Sequence, residues 1–339
     1  MVTRHIHPKD LAGKVIDAHA HAGINIKAFA ETGFPYCSSI EDLFYRQTAN
    51  GVDCSVVFPI TPELFFDIPV YAQTGKLVPA AQPLSPAPYV QENRMILRDV
   101  FRFCPEKASH FLPFLSVDPG RLVLEQMASL RELEQEFPIY GLKINPVGCQ
   151  TKVTKLLEEG EVFLEFVRER NLAIMFHVTT DPREGFSGAD DTFKVLEKHP
   201  DLRCCLAHCI GFHRAHLERA HSMPNVWVDT SALKIQVQLA HENSPIMAGL
   251  ADRLGSDYSN HLAVMKTLVE RYPETIIWGS DAPYHSYITR RVQAEGYYFE
   301  FRLKGTYEEE KAALDALSPD ERQRVGLNAL QFIFGEGTS

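Results

Sequence analysis

Long apolar runs are missing from this sequence. No stretch of its 339 residues is apolar enough, for long enough, to span a bilayer. The opening residues, Met1 to His7, also lack the apolar centre of a secretory leader. We therefore expect a cytoplasmic protein that works without a membrane. Blocks of lysine and arginine are missing too, and the net charge is −10, so nucleic acid is a poor partner. The cysteines (Cys37, Cys54, Cys104, Cys149, Cys204, Cys205 and Cys209) form no Cys-x-x-Cys pair. An odd, scattered set in a reducing compartment reads as small buried apolar side chains. A glycine-rich first turn for a nucleotide is absent as well.

What is present is 45% hydrophobic and 23% charged residues, enough apolar material for a large core. There is no internal repeat and no shift in composition, so residues 1–339 read as a single domain. The 14 histidines are numerous enough to need an account.

Two of them lie in Val15-Ile16-Asp17-Ala18-His19-Ala20-His21. Read as a strand, this stretch alternates: Ile16, Ala18 and Ala20 point one way, Asp17, His19 and His21 the other. Imidazoles at i and i+2 stand side by side, placed so that one divalent cation can accept both.

Further along a rhythm sets in. Phe137-Pro138, His199-Pro200, Met223-Pro224 and Tyr272-Pro273 each end a helical pattern, and each is followed within a few residues by a buried, β-branched run. Strands are expected over 53–58, 110–117, 139–145, 172–178, 202–209, 226–231 and 275–280, besides the first. Helices are expected between them: 40–50 capped by Ser39, 92–103, one opened by Asp118-Pro119, and 155–170. Eight strands alternating with helices predict an α/β fold, a (β/α)8 barrel. The long joints all follow strands: Pro62–Pro88, Leu233–Asn260 and Tyr284–Thr306. A barrel places all three over its carboxyl-terminal face, where active sites sit.

The strand ends are polar. Lys143 closes the fourth, His177 the fifth, His208 the sixth, Asp229 the seventh and Asp281 the eighth. Burying a lone charge is costly unless it is paired or coordinated, so these ends point to a shared site.

With these residues in place, the sequence resembles the amidohydrolase superfamily. The resemblance is to the branch that includes the aminocarboxymuconate-semialdehyde decarboxylase-like enzymes. It is carried by Asp17-Ala18-His19-Ala20-His21, by His177, by Leu206-Ala207-His208-Cys209, by Gly279-Ser280-Asp281-Ala282-Pro283 and by Gly326-Leu327-Asn328-Ala329-Leu330. It implies a metal-dependent barrel in which His19, His21, His177 and Asp281 hold one divalent metal, with His208 beside the substrate. Three imidazoles and a carboxylate suit Zn2+, or another divalent metal such as Mn2+, and leave a position for water. Asp281 then serves as the proton shuttle and His208 polarises the substrate.

In two-metal relatives a strand-four lysine is carboxylated and bridges the ions. The Gly-x-Lys-x-Asn-Pro context of Lys143 instead resembles one-metal members, where the amine meets an anionic substrate. Arg290, with Arg291, is a candidate clamp for a substrate carboxylate. Asp17 is expected to accept a hydrogen bond behind His19. Asp229 is expected either to do the same or to cap a helix with Thr230 and Ser231. His216 and His221 read as surface helix residues, and Trp227 and Trp278 as core.

The expected activity is hydrolysis of an amide, ester or lactone in a small carboxylated molecule. Non-oxidative decarboxylation on the same scaffold is the alternative. A closed, non-catalytic zinc site is the reading from a different class. The expected partners are a small-molecule substrate and a second copy of the chain in a dimer.

Overall fold

Eight parallel strands carry the chain around a ring: β1 (Ile16–Ile24), β2 (Cys54–Pro59), β3 (Phe111–Val117), β4 (Gly141–Ile144), β5 (Ala173–Phe176), β6 (Arg203–Leu206), β7 (Val226–Asp229) and β8 (Ile276–Ile277). Each pairs with the next in sequence. They are seen in a computed structural model that describes residues 2–30, 33–181, 183–292 and 298–335. The last strand returns to the first just past its regular part. Ala18 N–H donates to Trp278 O at 3.0 Å, Asp281 N–H to His19 O at 2.8 Å, and His21 N–H to Ala282 O at 2.7 Å. The sheet is therefore closed, as the alternation of strands and helices predicts.

The core has two layers. Inside the ring lie Ala18, Val56, Phe58, Phe114, Met175, Cys205 and Ile277. The last helix, Pro319–Phe334, plugs one end of the ring. Its Phe332 meets Phe114 of β3 at 6.0 Å and Trp227 of β7 at 5.9 Å, on opposite sides of the barrel. Outside the ring, the helices pack their apolar stripes on the other faces of the strands. Trp227 and Trp278 are both buried, as expected. Six of the seven cysteines are buried and free, and Cys37 is exposed. Among the described residues no helix is long and apolar enough to cross a membrane.

Local chemistry adjusts several expected elements. Ser39 caps Ile40–Ala49, accepting from Asp42 N–H at 3.0 Å. Asp118-Pro119 does not open the next helix, which runs Val123–Glu136. The Asp118 carboxylate instead accepts from Gly120 N–H at 3.0 Å and from Arg121 at 2.8 Å, which holds residues 118–121 in a turn. The helix expected over 155–170 is divided into a 3₁₀ turn, Val153–Leu157, and a helix, Glu161–Glu169. Between them Gly160 passes so close to Pro119 O that a β-carbon would lie 2.5 Å away. The three long joints carry structure of their own. Pro62–Pro88 holds the helix Ile68–Thr74, Leu233–Asn260 begins with the helix Leu233–His241, and Tyr284–Thr306 holds a hairpin, Tyr287–Val292 with Tyr298–Leu303.

Candidate active site

The carboxyl ends of the strands open into a cavity of about 1320 Å³ lined by His21, Lys143, His177, His208 and Asp281, among others. All three long joints reach it, through Tyr71–Gly75, Ile235–Leu239, and Tyr284, Tyr287 and Leu303. The turn after β5, Asp181 and Arg183–Phe186, lines it as well. Sequence reasoning did not single out that turn, although residues 177–188 separate β5 from the helix Ala189–Lys198.

Closure of the barrel brings β1 against the end of β8, and this sets the polar centre. Asp281 Oδ1 lies 3.2 Å from His19 Nε2 and 3.1 Å from His21 Nε2. These three residues offer one ligand atom each within 4.8 Å of one another. All three are buried. Behind them, His19 Nδ1 donates to Asp229 Oδ2 at 2.8 Å. That bond leaves the Nε2 lone pair facing Asp281 Oδ1. Two acceptors at this distance repel unless a proton or a cation lies between them. Burial, aided by Lys143, opposes charge on His19, but Asp229 and Asp281 outweigh both and raise its pKa above the ordinary imidazole value. Burial lowers His21 to about 4, so it is neutral near pH 7, and its Nδ1 has no partner. Burial works against the Asp281 carboxylate too, yet His19 and His21 hold its pKa well below the usual range. The donor set of two imidazole nitrogens and an ionised carboxylate fits a divalent metal.

His177 faces the same cavity outside this trio. Its Nδ1 lies 3.1 Å from His208 Nε2, and His208 Nδ1 lies 2.9 Å from Ser231 Oγ. Ser231 in turn donates to Asp229 Oδ1. With neutral rings the chain runs one way: His177 donates to His208, His208 to Ser231, Ser231 to Asp229. The Nε2 of His177 then carries a lone pair. Burial pushes both imidazoles down, and for His177 the neighbouring His208 adds to the effect. Asp229 is thus the acceptor for two arms of the site. Both roles expected of it are partly present, since its Oδ1 also accepts from the backbone N–H groups of His208 and Ser231 at 3.0 Å each. The importance of Ser231 was not legible in the sequence.

Lys143 is fully buried beneath the trio. Its ammonium donates to His19 Nε2 at 3.3 Å and lies 4.6 Å from the centre of the Phe58 ring. Burial lowers its pKa to about 8. Among the described residues no carboxylate lies within ion-pair distance of it. Asp17 makes no contact with the cavity. It accepts from Ser280 N–H at 2.9 Å, Ser280 Oγ at 2.6 Å, Tyr307 Oη at 2.9 Å and His19 N–H at 3.1 Å, and so braces both strands that carry the trio. Arg290 and Arg291 lie in the strand Tyr287–Val292, and their side chains are outside the described residues. His216 pairs with Asp190 at 3.3 Å and His221 is exposed, both away from the centre.

Fold and site together define a metal-dependent enzyme of the amidohydrolase class. The amidohydrolase family profile matches residues 96–332, and the chain belongs to that family. Solved structures share the architecture across nearly the whole chain. One is the putative 2-pyrone-4,6-dicarboxylic acid hydrolase from Pseudomonas putida, with TM-score 0.56, 16% identity, and coverage of 95% of this chain and 97% of that one. Another is the 2,6-dihydroxybenzoate decarboxylase from Rhizobium, with TM-score 0.54, 12% identity, and coverage of 94% and 97%. A third is an amidohydrolase from Burkholderia multivorans with bound zinc, with TM-score 0.57, 12% identity, and coverage of 95% and 99%. No curated protein matches the sequence.

Proposed function

We propose that this enzyme hydrolyses an amide, ester or lactone bond in a small carboxylated molecule, using one zinc or similar divalent ion. The observation that carries the reading is the convergence of His19, His21 and Asp281 ligand atoms within 4.8 Å at the floor of the cavity. His177 is the fourth ligand in this reading, supported by the hydrogen-bond direction that leaves its Nε2 lone pair unused. When bound, such a metal supplies Lewis-acid chemistry and an activated water at neutral pH.

The protein's own groups do the rest. Asp281 Oδ2, the oxygen that neither His19 nor His21 engages, takes a proton from the attacking water and returns it to the leaving group. His208, held by Ser231, stands between His177 and Asp281 Oδ2, with its Nδ1 4.0 Å from the latter. It is the group assigned in this reading to polarise the substrate oxygen. Lys143, without a carboxylate partner among the described residues, receives a substrate carboxylate, and Arg290 is proposed as a second contact. Four exposed apolar side chains along one segment, Ile24, Phe29, Phe34 and Tyr36, support a homodimer; sedimentation velocity at working concentration checks it.

Decarboxylation is the second reading. The observation that favours it is Lys143 itself, a buried cation beside the metal-ligand trio that suits a carboxylate on the reacting carbon. Metal-loaded protein tested on carboxylated lactones, amides and aryl esters, and on hydroxylated aromatic acids, separates the two. Uptake of one water with no carbon dioxide released supports hydrolysis. Carbon dioxide release from the aromatic acids overturns it in favour of the second reading.

A further inference from the structure

The cavity is larger than the reacting groups need. At about 1320 Å³ it exceeds the roughly 300–1,000 Å³ usual for a small-molecule site. His21, Lys143, His177, His208 and Asp281 occupy only its floor. The walls above differ in kind, and barrel geometry sets the part after β4 against the part after β8, because strands four apart in the ring stand opposite one another.

One wall rises after β7 and β8. Ile235 and Leu239 of the helix Leu233–His241, with Ile246 and Leu303, give it an apolar surface. The other wall rises after β2 and β4, where Gln73, Thr74, Asn145 and Gln150 line it beside Tyr71 and Val147. This wall is bonded together. Gln150 accepts from Leu77 N–H at 2.8 Å and donates to Gly75 O at 2.7 Å, and Lys27 donates to Gly148 O at 3.2 Å. Those bonds tie three separate segments into one surface before any ligand arrives, so the space between the walls is preformed.

We propose that this space is a subsite for the non-reacting part of the substrate. Resting on the hydrolase reading above, the inference narrows the substrate to an elongated, amphipathic acid more than one ring long. Its apolar flank packs on Ile235, Leu239, Ile246 and Leu303, and its hydroxyl or amide edge meets Gln150 and Asn145. A single-ring acid fills only the floor and leaves both walls wet.

The test is calorimetric titration of the metal-loaded, full-length protein with benzoate and with biphenyl-4-carboxylate. A well-fitted apolar extension gains about ten-fold or more in affinity. Biphenyl-4-carboxylate is therefore expected to bind at least ten-fold tighter than benzoate. In Ile246→Lys and, separately, Leu239→Asn, each checked for wild-type melting and metal content, the ratio of the two affinities is expected to fall towards one. Benzoate binding with no gain for the longer acid overturns the subsite and leaves the hydrolase reading standing. A ratio that persists in both variants also overturns the subsite, because the gain then comes from elsewhere. If neither acid binds, both the subsite and the acid-binding site beneath it are overturned.

Discussion

Asp229 holds the His19 ring by a 2.8 Å hydrogen bond to Nδ1, and that bond decides which ring nitrogen faces the cavity. A ligand histidine oriented this way loses affinity for its metal when the orienting carboxylate is removed. Asp229→Asn is expected to weaken metal binding by roughly 10–100-fold. Competition against a fluorescent chelator measures this without reference to turnover. Wild-type affinity in a folded variant would show that His19 needs no such support.

Asp281→Asn separates proton transfer from binding. The amide keeps the shape of the side chain but is a very poor base. At full metal load, turnover is expected to fall by about 10²–10⁴-fold, while circular dichroism and melting stay near wild type. A folded, metal-loaded variant with undiminished turnover would remove Asp281 from the proton path.

Gly279 lies where β8 meets β1. A β-carbon there would stand 2.7 Å from His19 Cβ and 3.1 Å from His19 N. Neither can retreat without moving His19, a proposed ligand, so Gly279→Ala is expected to cost about 1–3 kcal/mol and to lower metal content in the purified protein. Elemental analysis together with denaturant unfolding reads both effects.

Glu92 makes stability depend on pH away from the centre. Burial raises its pKa from 4.5 to about 7, while Leu64 N–H donates to its Oε1 at 3.0 Å. An acid whose folded pKa is raised supports the fold when protonated. Its contribution is present below the unfolded value and is lost as pH rises through about 7. Glutamine keeps the acceptor and carries no charge. Glu92→Gln is expected to match wild type near pH 4.5 and to be more stable at pH 8 by on the order of 2–3 kcal/mol. Equal melting curves at pH 8 would show that burial of Glu92 is relieved in some other way.

The barrel was readable because its signals are local: each strand is a short apolar run, and four of the helical patterns end at a proline. His19, His21, Lys143, His177, His208 and Asp281 were readable because a polar residue closing such a run is conspicuous. What escaped depends on approach between distant segments. Ser231 matters only because β6 and β7 set it beside His208, and Gln150 only because the turn after β4 meets the loop after β2. Neither residue interrupts a pattern. The Asp118 turn escaped for a related reason: its carboxylate competes with helix formation by bonding Gly120 and Arg121, and proline spacing does not register that competition.

The ring closes through few backbone bonds. β8 has only two regular residues, and the return to β1 depends on Ala18 with Trp278, His19 with Asp281 and His21 with Ala282. The trio straddles that joint, with two members on β1 and the third just past β8. An ion held by it fastens the beginning of the chain to its far end, so metal affinity and cohesion of the whole barrel are linked quantities. Ligand binding confined to the folded form adds about 4 kcal/mol at a thousand times the dissociation constant. Chelation should therefore lower the melting temperature, and amide exchange should rise first along β1 and residues 276–282. Starving the cell of metal would then deplete the protein as well as its activity.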